Sequence, residues 1–279
     1  MHPHQNNAAR GRNVTGHFAI VLHRGISLTY ASNLFPFGQA ILSAKKVALC
    51  PTRIYDLTFS AGQRLLLDAN SNVHAYVLAG GASTRFGRDK ALVHFGAMPL
   101  LLRIANLAQS CTADVSVVSS AQKYRNRFEE LEFVEDRWPG QGPLGGIITA
   151  LQRTAATAPD CQWNLILSCD MPFLTREWLE FLIDRARTSA APIQAILPHS
   201  GHGPEPLCAC YRTDAADPLK NVFDRGVRKV TEALKHVRTE VLDEPVWKRF
   251  DSAGRLFWNM NTTADFAEAQ RVWPLENVE

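Results

Sequence analysis

From Val73 onward, apolar and polar positions alternate in a regular way. Ala75 to Leu78 is a short apolar run of strand length. Leu100 to Gln109 repeats its apolar residues at helical spacing. Val115 to Ser119 and Glu132 to Glu135 read as the next two strands. Pro143 to Thr154 reads as a helix with proline near its first position. Asn164 to Ser168 is a fourth strand, buried by its composition, and Arg176 to Arg187 an amphipathic helix with Thr175 as N-cap. Strands follow at Ile193 to Leu197 and Leu207 to Tyr211, and helices at Ala215 to Phe223 and Val227 to Lys235. The pattern closes with a strand at Thr239 to Leu242 and a helix from about Ala264 to Val272. Strands alternating with helices imply right-handed crossovers. The expected fold is therefore α/β, a three-layer sandwich around a mostly parallel central sheet. Ligands of such sheets bind beyond the carboxyl ends of the strands.

Residues 1 to 70 carry no lasting period. The first fifteen are polar, and the next fifty mix short apolar stretches with Gly and Ser. Two readings stand open: a poorly ordered extension, or a gene-model artefact ahead of the true start. The next methionine, Met98, lies beyond the first glycine-rich segment, so a later start needs a non-Met codon. The regular domain is expected over residues 73 to 275.

The formal net charge of the 279 residues is only +3, which gives no reason to expect a nucleic-acid partner. No apolar run approaches membrane-spanning length or the core of a signal peptide, so a cytoplasmic protein without a membrane partner is expected. Six cysteines occur with no Cys-x-x-Cys pair, and reduced, buried thiols are expected of them.

Four segments carry chemistry. The first is LAGGASTRFGRDKA, Leu78 to Ala91, directly after the first strand. Gly80 and Gly81 let backbone N–H groups approach an anion, and Arg85 and Lys90 add positive charge. The spacing fits neither a Walker A loop nor G-x-G-x-x-G. The other reading is a plain strand-to-helix turn with solvated charges. The second segment, EDRWPGQGPLGGI, places Asp136 after the third strand, where it suits a ribose or base contact or simply caps a turn. The third, ILSCDMPFL, places Asp170 straight after the buried strand, a hard-oxygen ligand suited to magnesium. The fourth, WNMNTTADF, alternates Asn259 and Asn261 on a short strand or bend, with Thr262 or Thr263 available to cap the last helix.

These four segments resemble, in order, those of the MobA family of molybdenum cofactor guanylyltransferases. The resemblance spans about residues 73 to 275. It implies a Rossmann-like nucleotidyltransferase fold. It also implies GMP transfer from GTP to molybdopterin or molybdenum-molybdopterin, with Mg2+ as cofactor and transient contact with molybdoenzymes or their chaperones. By the match, Leu78, Ala79 and Gly80 line the base, Lys90 holds phosphates, Asp136 contacts the nucleotide, and Asp170 coordinates magnesium. The amides of Asn259 and Asn261 suit contact with a phosphate, a metal-bound water or the pterin as substrate contacts, or simply hold a turn. The LAGG opening points to guanine, where cytidylyl relatives tend to carry LAAG. Two departures occur: Ser119, at a nucleotide-binding position for the sugar or base, stands where the family commonly has Asn after the second strand, and Thr263 where proline is usual. A cytidylyltransferase, a sugar-phosphate nucleotidyltransferase and a non-catalytic nucleotide binder are the alternatives. The His199 and His202 loop lacks a third ligand for a metal; the resemblance implies contact with the second substrate through this loop instead. Arg225, Arg228, Lys229 and Lys235 read as a solvated helix face or an attraction for a phosphate.

Overall fold

A computed structural model describes residues 73–80, 86–87, 89–120 and 124–273. The extension at 1 to 70, Gly81 and Arg85 lie outside the described residues. The chain order opens with β1 (Val73–Leu78), then a 3-10 turn at Lys90–Leu92, a two-stranded hairpin of β2 (His94–Phe95) and β3 (Met98–Pro99), and α1 (Leu100–Cys111). Next come β4 (Asp114–Ser119), β5 (Glu132–Glu135), α2 (Pro143–Thr157), β6 (Trp163–Ser168) and α3 (Arg176–Arg187). The chain continues through β7 (Ala195–Ser200), β8 (Gly203–Pro204), β9 (Cys208–Arg212), α4 (Ala216–Asp224) and α5 (Val230–Ala233). It ends with β10 (Thr239–Leu242), α6 (Glu244–Trp247) and α7 (Thr263–Val272).

The main sheet has the order β10-β7-β9-β6-β1-β4-β5, with β8 attached to β7. Pairings β1–β4, β1–β6, β4–β5 and β7–β10 are parallel, and β9 runs antiparallel to both its neighbours. The expected α/β architecture with a mostly parallel sheet is therefore present.

The period-2 reading explains the layers. In β1, Val73, Ala75 and Val77 face one core, with α1 and α3, while Tyr76 and Leu78 face the other, with α2 and α4. In β9, Cys208 and Cys210 join the first core, Ala209 and Tyr211 the second. Both faces are covered, so the central strands are buried on both faces and mostly apolar rather than alternating. One buried polar thread crosses the second layer: the Tyr76 hydroxyl lies 2.8 Å from Thr154 Oγ1, whose own hydroxyl donates to Asn164. Burial pushes the Tyr76 phenol up to about 12.

A third core lies under α7. Phe95 is fully buried, edge-on to Phe173, Phe266 and Trp273 at 5.8, 6.1 and 4.8 Å. This cluster fastens the C-terminal helix to the β2–β3 hairpin. Two-residue strands are too short to produce a readable pattern, so the hairpin is absent from the sequence reading.

Two expected elements differ. The Val227 to Lys235 helix shrinks to α5 and a 3-10 turn at Leu234–His236. Gly226 at φ 97° breaks the preceding helix, and the Arg228 guanidinium donates to the carbonyls of Phe223 and Val227, which stabilises the break. The strand expected at Ile193 starts at Ala195 instead and runs on to Ser200. Pro198, which has no N–H, sits where β7 has already parted from β9.

Candidate active site

The register aligns the carboxyl ends of the central strands. Leu78 pairs with Val118 on one side and Ser168 on the other, and Ser119 pairs with Glu135. Gly80, Asp136 and Asp170 therefore leave the sheet at one edge, where the chain order switches direction.

At that edge Lys90 and Asp170 meet. Lys90 Nζ lies 3.4 Å from Asp170 Oδ2, with the two side chains only 16% and 18% exposed. The same ammonium donates to Asn261 Oδ1 at 3.1 Å. Three segments far apart in sequence thus converge on one cation. Each is separately positioned. Ser168, the last residue of β6, donates its hydroxyl to Asp170 Oδ1 at 2.6 Å. The Asp170 carbonyl accepts from Met260 N–H at 3.1 Å, which ties the Asn259–Asn261 bend to the β6 loop. Asp265 Oδ2 accepts from the N–H groups of Asn261 and Thr262, while Thr262 Oγ1 accepts from Asp265 N–H in a capping box. Burial raises the Asp265 carboxyl, but the bonds from Thr262 and Asn261 outweigh it and hold the group below its usual range. Thr262 is the N-cap, so Thr263 is the first helical residue, the position where proline is also favoured. The departure at Thr263 therefore leaves the cap intact.

Lys90 is positioned by its neighbour. Asp89 caps the 3-10 turn by accepting from Ala91 N–H at 3.2 Å, and Tyr124 donates its hydroxyl to the Asp89 carboxylate at 3.0 Å. Burial and the Asp89 charge push the Tyr124 phenol well above its usual value, so it stays a donor.

The nucleotide candidates fall on the β1–β4–β5 side of Asp170. Gly80 is exposed, but Leu78 and Ala79 are buried. The Leu78 side chain lies against Gly146 of α2, where a Cβ would meet it at 3.4 Å. Ala79 N–H donates to the Val118 carbonyl. Side chains at 78 and 79 thus belong to the core, and what they turn towards the edge is backbone. Ser119 is buried at the end of β4, and its carbonyl accepts from Asp136 N–H at 2.9 Å. Asp136 Oδ1 accepts from Trp138 N–H at 3.0 Å and lies 3.4 Å from the Thr149 hydroxyl, so this residue does cap its turn. Behind it, Gly142 takes φ 87° to admit Pro143 at the first position of α2. Gly145 lets α2 approach Trp138, whose Cβ would lie 3.1 Å from an added Cβ.

Asn259 is not drawn to Lys90; its amide donates to the Phe257 carbonyl at 3.3 Å. Among the described residues no three His, Cys, Asp or Glu side chains gather as a metal cage. His199 and His202 are both exposed on the β7–β8 hairpin. The five described cysteines are buried; Cys50 lies outside the described residues. No helix among the described residues is long and apolar enough to cross a membrane. Sequence reasoning missed Ser168, Tyr124 and Asp265, all of which act through other residues. Only Asp265 had a visible signal, as the acid three residues after a threonine.

The family model of the MobA-like NTP transferase domain matches residues 75–238. A relative from Trichormus variabilis, named "probable molybdenum cofactor guanylyltransferase", is 34% identical over 72% of this chain and 91% of its own length. One from Chloroflexus aggregans with the same name is 31% identical over 72% of this chain and 95% of its own. The solved molybdopterin-guanine dinucleotide biosynthesis protein A of Archaeoglobus fulgidus is 26% identical, with TM-score 0.63, over 72% of this chain and 99% of that one. A CMP:2-keto-3-deoxy-manno-octonic acid synthetase complexed with CTP, at 11% identity and TM-score 0.57 over 74% of this chain and all of its own, shares the fold. By the matched domain and these relatives, the chain is an enzyme of the nucleotidyltransferase type and belongs to the MobA-like NTP transferase family.

Proposed function

We propose that this enzyme transfers GMP from GTP to the terminal phosphate of molybdopterin, with or without bound molybdenum, and releases pyrophosphate. The observation that carries the reading is the Lys90 ammonium held between Asp170 and Asn261 at the carboxyl edge of the sheet. The names of the relatives supply the base and the acceptor. The catalytic unit is residues 73 to 275.

In this reading an oxygen of the acceptor phosphate attacks the α-phosphorus of GTP. The bond from the α-phosphorus to the α,β-bridging oxygen breaks, and pyrophosphate leaves with the electron pair. The acceptor phosphate is already ionised, so no protein base is required. Lys90, held beside Asp170 and Asn261 at this edge, meets the phosphates, joined by Arg85 and the N–H groups around Gly80. The backbone at Leu78, Ala79 and Gly80 borders the base. Ser119 and the second oxygen of Asp136 meet the ribose or base. Asn261 and Asn259 lie towards the acceptor.

The donor set suits magnesium. Asp170 Oδ2 and Asn261 Oδ1 are two hard oxygens that already share one positive charge. A magnesium ion held by few protein groups completes its shell with water and phosphate oxygens. When bound it would offset charge on the phosphates, and Ser168 would keep Asp170 oriented towards it. Positioning and electrostatics then supply the rate.

The test is incubation with Mg2+, molybdopterin and each of GTP, CTP, ATP and UTP, with the product identified by mass. The guanine dinucleotide should form with GTP, and chelation by EDTA should stop it until Mg2+ is restored. A cytosine dinucleotide as main product, or no dinucleotide from any nucleotide, overturns the reading.

A further inference from the structure

The β7–β9 connection crosses the same sheet edge as Asp170, because β9 runs antiparallel to both β6 and β7. Glu205 sits on that connection and is only 6% exposed. Its backbone is fixed at both ends: its N–H donates to the Pro198 carbonyl at 2.9 Å, and its carbonyl accepts from Cys208 N–H at 3.1 Å. Ser200 donates its hydroxyl to Glu205 Oε1 at 2.6 Å and itself accepts from His202 N–H at 3.0 Å. Oε2 accepts from no described residue. It is also not sealed in, since the buried polar side-chain atoms without partners among the described residues are two nitrogens of Arg187. One oxygen of a nearly buried carboxyl therefore stands open. Burial raises this carboxyl, and the charge of Asp170 adds to the effect. Burying a carboxyl without a full set of partners is costly, and no step above uses it.

The strand order divides the edge. Gly80, Ser119 and Asp136 follow β1, β4 and β5 on one side of Asp170; Glu205 precedes β9 on the other. The proposed base and ribose contacts all lie on the first side, which leaves Glu205 in the acceptor half.

We propose that Glu205 is a specificity-determining residue that accepts the paired N–H donors of a 2-amino-4-oxo heterocycle, the N3–H and 2-NH2 of a pterin. The proposal rests on the acceptor reading given above. An ionised carboxylate is an acceptor only, and Oε1 keeps a lone pair beside the Ser200 bond, so both oxygens can serve a parallel donor pair. Guanine carries the same donor pair at N1–H and 2-NH2; the position across Asp170 from the nucleotide contacts assigns Glu205 to the pterin.

The test uses the full chain, wild type and Glu205→Gln, with calorimetric titration of three probes. These are 6-hydroxymethylpterin phosphate, its lumazine counterpart with oxygen in place of the 2-amino group, and GTP with Mg2+. Wild type should prefer the pterin phosphate by about tenfold or more, because the lumazine leaves an acceptor facing an acceptor. Glu205→Gln should lose that preference while its GTP affinity stays the same. A variant that keeps the preference, or one that loses GTP affinity instead, overturns the assignment. Wild type alone also decides: binding pterin phosphate with no preference over lumazine phosphate overturns the role of Glu205 and leaves the acceptor reading standing, whereas binding neither overturns both.

Discussion

Lys90→Met separates a chemical role from a structural one, because the substitution keeps the aliphatic stem and removes only the charge. At 3.4 Å and an effective dielectric constant of about 20, the Lys90–Asp170 attraction is about 5 kcal/mol before solvation is counted. Desolvation of both partners cancels most of that, and the pair keeps 16% and 18% side-chain exposure, so water screens it further. The net stability lost should be about 1–2 kcal/mol, since Asp170 retains the Ser168 hydroxyl and some contact with water. For a domain of this size that is a fall in Tm of about 2–8 °C. The transfer reaction should suffer far more. A fixed donor aimed at developing charge is worth about 3–4 kcal/mol, or about a hundredfold to a thousandfold in rate. The assay is pyrophosphate release with GTP, Mg2+ and molybdopterin, beside a thermal melt of the same sample. Lys235→Met is the control, because its partner Glu232 is on the surface and its own side chain is 67% exposed. That variant should match wild type in both measurements. If Lys90→Met keeps kcat/KM within about threefold of wild type, the charge has no part in the transition state. If its activity falls only as far as its folded fraction falls, Lys90 is a structural tether.

Glu205→Gln should raise Tm. Burial places the Glu205 carboxyl above its usual 4.5, helped by Asp170 and opposed by Ser200, His202 and His199. Its contribution to stability is therefore complete below the unfolded value and is lost as pH rises through the folded one. Melts should show the variant ahead of wild type near pH 7 to 8, with the gap closing near pH 4; a variant less stable than wild type at neutral pH contradicts the burial argument. Phe95→Ala should cost about 3–5 kcal/mol by urea denaturation, since it empties the centre of the aromatic cluster that holds α7. A loss under about 1 kcal/mol means that α7 is held elsewhere. Burial raises the thiols at Cys111, Cys161, Cys169, Cys208 and Cys210, so peptide mapping after iodoacetamide should find these five unlabelled in the native protein and labelled in urea. Rapid native labelling at Cys169 would show that the loop before Asp170 opens.

The parts of the site legible in sequence are those that follow strands. Asp170 and Asp136 each stand one or two residues beyond an apolar run, and a parallel sheet brings such positions to one edge whatever the sequence between them. Periodicity also placed α3 and its Thr175 cap, because a long amphipathic helix is encoded locally. What sequence could not give is contact across long separations. Asn261 reaches Lys90 across 171 residues, through a bend whose shape depends on Met260 N–H meeting the Asp170 carbonyl. Asn259 looks equivalent to Asn261 in the sequence, yet it turns to the Phe257 carbonyl. Likewise Leu78 and Ala79 match a base-lining motif, but their side chains go into the two cores and leave backbone at the sheet edge.

The third core explains why the C-terminal helix matters to a site built mainly on the sheet. Lys90 and the β2–β3 hairpin lie within one short stretch, and Asn261 and Asp265 stand at the start of α7. Phe95 on the hairpin packs against Phe266 and Trp273 on or next to that helix. The same apolar contacts that hold α7 therefore set the distance between the cation and its amide partner. Burial energy in the apolar cluster is thereby converted into the fixed placement of polar groups, which is what the proposed electrostatic mechanism requires. Phe95→Ala should accordingly lower transfer activity even under conditions where the protein remains folded, and Lys90→Met should not alter the packing of the cluster. Tryptophan fluorescence reads the second half of that statement, because Trp273 and Trp258 both border the cluster. A shifted emission in Lys90→Met, or full activity in folded Phe95→Ala, would break the link between the apolar cluster and the charged pair.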